Sequence, residues 1–379
     1  MNSRERVRRA LAHEPVDRVP IGFFAIDFDT VERVLGHETY VRAKAKCQIA
    51  FWEGRRDEVV QSWKEDIVDL YRKLDFIDIV NLGAMATSVA PPADYVPEQV
   101  RQVDATTWEA DDGRVWKYSE ITADLTLVAR PEPQFTVDDF PLDAEPVPPD
   151  PSVFEATDAI IEELGDDHYI LGPSGGEAGM VLLGGMEHGL MMYALQPEVV
   201  QRAIEAATRV ANLQDATRIR PGTDGVLWGT DFAATAGPYI SPRMFRRFCL
   251  PSIKERVAAV KGRGLDVLKH ACGNNWKLLD MFLEAGYDAY QSIQASAGMD
   301  LAALKEKVHP RMALWGGASV ETLVSGCPDE VRQDVMAAMS AGAPGSGYIF
   351  GTTHSVAVGT KYENFQAMVD TYLALAEAV

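Results

Sequence analysis

Apolar residues gather along the chain into eight short runs, each closed by Gly, Pro, Asn, Asp or Ser, and most are followed by a stretch with helical apolar spacing. The runs are 19–24, 76–82, 169–174, 225–231, 266–273, 288–293, 312–317 and 348–354. Within them apolar character is nearly continuous rather than alternating, which suits strands covered on both faces. Amphipathic stretches at 197–218, 242–263, 275–285, 320–341 and 361–379 lie between or after them. Strand and helix alternating in this way predict an α/β fold, a single (β/α)8 TIM barrel spanning 1–379.

One stretch breaks the rhythm. Residues from about 84 to 164 carry Pro91, Pro92, Pro131, Pro133, Pro141, Pro146, Pro148 and Pro149, too many for one crossover helix. Inside it, residues 105–118 predict a hairpin turning at Asp112-Gly113. The segment therefore reads as a hairpin or lid inserted after the second strand.

A chain of 379 residues with 47% hydrophobic content can bury a substantial core. Its 36 basic and 56 acidic residues leave a net charge of −20, a field that repels phosphate backbones and anionic lipid surfaces. Nucleic acid and membrane are therefore not expected partners. No apolar run approaches the roughly 20 residues that span a bilayer, and residues 1–9 are charged without a following apolar stretch of signal-peptide type. The four cysteines are widely spaced, as reduced thiols in a cytoplasmic enzyme would be.

In a barrel the reactive groups stand at the carboxyl ends of the strands. Here those ends carry Ser174 with Glu177, Asp231, His270 with Cys272, Gln291 with Gln294, and His354. If the runs ending at His270 and His354 belong to one sheet, a thiol and two imidazoles converge, as in a catalytic zinc site. The same His-x-Cys is compatible with a core histidine beside an unrelated thiol. Asp231 reads equally as a cap or loop residue, and Glu177 sits in a glycine-rich turn, 173–179, that would expose it. The aromatic residues Phe23, Phe24, Trp228, Phe232 and Trp315 near strand ends form either a flat apolar pocket or ordinary barrel core. No G-x-G-x-x-G fingerprint supports a nucleotide cofactor.

Taken together these segments resemble the uroporphyrinogen decarboxylase superfamily, and its zinc-dependent corrinoid methyltransferase branch more than the decarboxylases. The resemblance is carried by Arg4-Glu5-Arg6-Val7-Arg8-Arg9-Ala10-Leu11, Pro15 to Pro20, Asp224 to Asp231, Ser241-Pro242 with Phe245 and Pro251, His270-Ala271-Cys272-Gly273-Asn274, and Glu363-Asn364, in family order. It implies a single barrel, and a homodimer is common among such barrels. Decarboxylating members carry carboxylate-binding arginines at the first strand end and an aspartate after the second. Here those ends read Phe23 to Asp27 and Asn81 to Met85, so the resemblance does not extend to porphyrinogen decarboxylation.

Methyltransferase members hold zinc through a His-x-Cys pair and a later cysteine. His270 and Cys272 match the pair, and His354 stands where the last cysteine would be. One thiolate with two imidazoles leaves Zn²⁺ one positive charge and makes it a stronger Lewis acid than a two-thiolate site. That points to removal of a methyl group from the oxygen of a methoxylated, aryl-type substrate, with the corrinoid (cobalamin) of a partner protein as acceptor. Asp231 and Glu177 are then the expected proton donors or fourth ligand. Phe24, Trp228, Gln291, Gln294 and Trp315 are the expected substrate contacts. The alternatives are methyl transfer from a methylcorrinoid to a thiol, and a metal-independent decarboxylase.

Overall fold

The computed structural model describes residues 1–83, 88–131 and 133–376. Among them a seven-stranded parallel sheet runs in chain order through Ile79–Asn81, Tyr169–Leu171, Gly225–Trp228, Asp266–His270, Ala289–Ser292, Ala313–Ala318 and Tyr348–Thr352. Strands adjacent in sequence being adjacent in space is what repeated right-handed crossovers produce. The two edges of the sheet are joined through residues 20–22. Ile21 bridges to Phe350 and Gly22 to Ile79, supported by Gly22 N donating to Phe350 O at 3.0 Å and Asp78 N donating to Ile21 O at 2.8 Å. The expected first strand thus appears as isolated bridges. Pro20 has no N–H to give a ladder, and the approach is so close that a Cβ on Gly22 would lie 2.9 Å from Ile79 Cβ.

The curled sheet has two apolar faces. Ile79, Tyr169, Leu171, Leu227, Leu268, Ala289, Ala313, Trp315 and Ile349 form the inner cluster. Val226, Trp228, Val267, Tyr290, Leu314 and Phe350 belong to the larger cluster shared with the helices. The observed helices Pro197–Arg218, Pro242–Lys261, Leu279–Ala285 and Tyr362–Ala376 follow the expected stretches. The stretch 320–341 is instead two helices, Val320–Ser325 and Pro328–Gly342, because Pro328 opens a new first turn behind the cap at Cys327.

The N-terminal helix, Ser3–Leu11, buries Val7 and Ala10 in the inner cluster. Its arginines bind carboxylates that precede barrel strands: Arg6 pairs with Asp78 at 2.6 Å, and Arg4 with Asp224 at 2.7 Å. This end of the barrel is therefore closed by salt bridges, and the opposite end is left for chemistry.

Between the first two sheet strands lies a four-stranded antiparallel sheet of Val100–Asp104, Thr107–Ala110, Val115–Ser119 and Asp124–Ala129. The expected hairpin forms its middle pair, turning where Gly113 adopts φ +86°. Ala84 and Met85, placed by sequence at the end of the second expected strand and the start of the insertion, lie outside the described residues. Among the described residues no helix is long and apolar enough to cross a membrane.

Candidate metal centre

Side chains alternate along a strand, and Asp266–His270 shows it: Leu268 joins the inner cluster while Val267 joins the outer one. His270 therefore points inward and Lys269 outward. Two residues beyond the strand, Cys272 is fixed by its own N–H, which donates to Asp231 Oδ1 at 2.7 Å. The chain can turn there because Gly273 takes φ +80°, where a Cβ would meet Ala233 O at 2.3 Å. His354 follows the Tyr348–Thr352 strand, and its carbonyl accepts from Thr352 Oγ1. The ligand atoms of His270, Cys272 and His354 all lie within 4.8 Å of one another. The two imidazoles stand edge to face at 5.5 Å. Phe24 stacks on His270 at 4.1 Å and lies 5.5 Å from His354, its carbonyl held by Asn81 Nδ2 at 2.8 Å.

Burial, reinforced by the neighbouring His354, pushes the His270 imidazole down to about 4, and burial also lowers His354. The Cys272 thiol is pushed up to about 11 by burial and by the Asp231 carboxylate. Without an ion the cluster thus holds neutral imidazoles and a thiol, donors that bind a soft-to-borderline divalent cation once the thiol proton leaves. Tetrahedral zinc bonds imply donor separations of about 3.3–3.6 Å, and Cys272 Sγ lies 3.5 Å from His270 Nε2. The donor types and the His270–Cys272 separation fit zinc, with His354 within 4.8 Å of both.

The other expected site residues divide by face. Asp231 is beside the cluster, its Oδ1 3.9 Å from His270 Nε2 and its side chain 40% exposed. Gln294 accepts from Gly273 N at 2.9 Å and so braces the turn after Cys272. Gln291, expected to orient substrate, instead bonds to His270 Nδ1 and to Thr352 O. Trp315 is fully buried in the inner cluster, with Nε1 donating to Gly22 O at 2.9 Å. The structure does not bring Trp228 and Glu177 to the cluster. Trp228 pairs in register with Lys269 and shares its outward face. Glu177, expected in an exposed turn, is buried against Lys269 Nζ at 2.8 Å and accepts from Tyr287 OH.

Sequence reasoning passed over Ser292, whose Oγ lies 3.5 Å from Cys272 Sγ, and the buried Arg42–Asp27 pair, 2.9 Å apart, whose charges act on His354. Ser292 was detectable as a polar residue beside Gln291 near the end of its run. Arg42 and Asp27 gave no local signal.

Residues 129–374 match the family model described as uroporphyrinogen decarboxylase (URO-D). The chain belongs to the uroporphyrinogen decarboxylase family. Among solved structures this family member is similar to a methyltransferase from Methanosarcina mazei, with a TM-score of 0.70 at 18% identity over 99% of both chains. A structure described as native KDPGal aligns at TM-score 0.27 and 19% identity, over 59% of this chain and 78% of that one. No curated protein matches the chain. Family membership and the Methanosarcina likeness account for the curled parallel sheet, and the donor cluster stands at its carboxyl end.

Proposed function

We propose that this family member is a zinc-dependent methyltransferase that moves a methyl group from a methoxylated compound to a corrinoid protein. The observation that carries the reading is the meeting of one thiol and two imidazoles, His270, Cys272 and His354, at the carboxyl end of the sheet. The likeness to a protein named a methyltransferase supports it. We read the chain as one (β/α)8 domain, with residues 20–22 as its eighth stave and the 84–164 segment as a lid.

His270, Cys272 and His354 would hold Zn²⁺, which supplies Lewis acidity for an oxygen leaving group. The exchange would break the O–CH₃ bond with its electron pair left on oxygen, and the corrinoid of a partner protein would supply the nucleophile that accepts the methyl carbon. Phe24 stacks on the His270 imidazole and lies tilted beside His354, and it offers an aryl ring an apolar wall. Asp231, exposed at the mouth and 3.9 Å from His270 Nε2, is placed to relay a proton from solvent to the departing oxygen.

Elemental analysis of the purified chain is expected to find about one zinc per chain, lost in both Cys272→Ser and His354→Ala. Mixing the zinc form with methoxylated arenes and reduced cobalamin should then yield methylcobalamin and the demethylated phenol. Methylation of a free thiol by methylcobalamin, with no turnover of methoxyarenes, would assign the reverse half-reaction. Full activity of zinc-stripped protein would refute the reading.

A further inference from the structure

The first of the two strands that lie between the ligand-bearing segments turns two consecutive side chains toward the cluster. Gln291, in Ala289–Ser292, reaches His270, as strand alternation allows. Ser292 should then face away, yet it adopts φ +112° and Ile293 φ +57°, a region that non-glycine residues seldom occupy. That excursion brings the Ser292 hydroxyl 3.5 Å from Cys272 Sγ and 2.8 Å from Thr353 O. Both residues are fully buried, and backbone strain of this sort persists where a functional geometry demands it.

The hydrogen-bonding chemistry fixes a proton. Gln291 Nε2 lies 3.2 Å from the carbonyl oxygen of Thr352, which only accepts, so the amide nitrogen must be at that end. The amide oxygen therefore faces His270 Nδ1 and also only accepts. Nδ1 must carry the imidazole hydrogen, and Nε2, on the side of Cys272 Sγ, keeps its lone pair free for an ion.

We infer that Gln291 is a positioning residue that presets His270 as an Nε2 ligand before any ion arrives. With Ser292 it ties the His270–Cys272 segment to the Thr352–His354 segment through the Thr352 and Thr353 carbonyls. Both ends of the Gln291 amide are committed to this role rather than to substrate. The inference rests on the metal-centre reading above.

Two measurements on the full-length chain test it: ¹⁵N spectra of His270 without metal, and Zn²⁺ affinity by chelator competition. Gln291→Leu is expected to shift the imidazole proton toward Nε2 and weaken Zn²⁺ binding about 10–100-fold. Gln291→Glu, which keeps an acceptor at the same place, should retain Nδ1–H and recover the affinity. Melting curves for both variants separate these effects from misfolding. A Gln291→Leu protein that keeps the Nδ1–H signal, or binds Zn²⁺ as the unaltered chain does, overturns the inference. If the unaltered chain binds no metal, the functional reading falls, and the imidazole spectra alone still decide whether Gln291 sets the tautomer.

Discussion

Breaking the buried Lys269–Glu177 pair tests which face of the Asp266–His270 strand carries the chemistry. The two charges are 2.8 Å apart, with side chains 0% and 1% exposed. Tyr287 OH donates to the second carboxylate oxygen, and Lys269 Nζ also donates to Thr230 O at 2.6 Å and stands 3.9 Å over the Phe232 ring. Burial pulls the Lys269 pKa down, opposed by the Glu177 carboxylate. At an effective dielectric constant of 20 the attraction is about 6 kcal/mol, while each ion loses several kcal/mol of hydration. The pair as a whole therefore contributes little, but either charge left alone is expensive. Lys269→Met or Glu177→Gln alone should cost about 3–5 kcal/mol, and the double variant about 1–2 kcal/mol because no lone charge remains. Urea unfolding at pH 7 measures the losses, and metal analysis of each folded variant accompanies it. The double variant is expected to keep its zinc, since the pair faces away from the three donors. Additive losses would refute the energetic argument, and a folded but zinc-free double variant would place Glu177 at the ion after all.

Three further outcomes follow from named contacts. Asp231→Asn retains an acceptor for Cys272 N but cannot relay a proton, so kcat should drop by about 10²-fold or more at unchanged zinc content; an unaltered kcat removes Asp231 from proton transfer. Burial and His309 hold the His13 imidazole down at about 4, below its unfolded value of about 6.5. The unfolded chain thus takes up this proton first, and stability falls as pH drops from about 6.5 to about 4 and levels off below. His13→Asn, which tolerates the φ of +58° at that position, should flatten that part of a plot of Tm against pH; an unchanged slope would show that His13 does not titrate this way. Gly22→Ala forces a Cβ to 2.9 Å from Ile79 and within 3.1 Å of Trp315, and should lower stability by about 1–3 kcal/mol; a melting temperature equal to that of the unaltered chain would mean the sheet edges have room to part.

The strands were legible because each is covered on both faces and so reads as an unbroken apolar run. The same property hid which residues face inward. Leu227 and Trp228, or Leu268 and Lys269, differ in face but not in any local pattern, and only the curl of the sheet assigns them. That is why Trp228 and Glu177 were expected among the site residues, and why Gln291 was read as a substrate contact rather than the partner of His270. The donor trio was legible because strand ends are marked by turn residues, and polar groups there have few reasons to follow an apolar run. Most segments that carry the family resemblance turn out to be structural locks. Arg6 and Arg18 both clamp Asp78, and Asn364 Nδ2 donates to Leu323 O and Gly326 O, each at 3.0 Å. The arginine clamps close the end of the barrel opposite the donors, while Asn364 ties together the helices that follow the last two strands.

Alternation along a single strand also bears on how the proposed site would work with one thiolate. Lys269 and His270 are chain neighbours, and the Lys269 cation adds to the forces that keep the His270 imidazole neutral. Left unpaired behind the sheet, that cation would repel a second positive charge at the donors. Glu177 neutralises it at 2.8 Å, so the outer face presents little net charge to the inner one. The positive charge that one thiolate would leave on a bound Zn²⁺ would then have Asp231 as the carboxylate within 3.9 Å of a donor atom. Asp231 is half-exposed, on the side from which a substrate must arrive. Under the zinc reading, the charge on the ion would then be met by a carboxylate only on the side open to an incoming oxygen, the arrangement that a departing alkoxide or phenoxide would require.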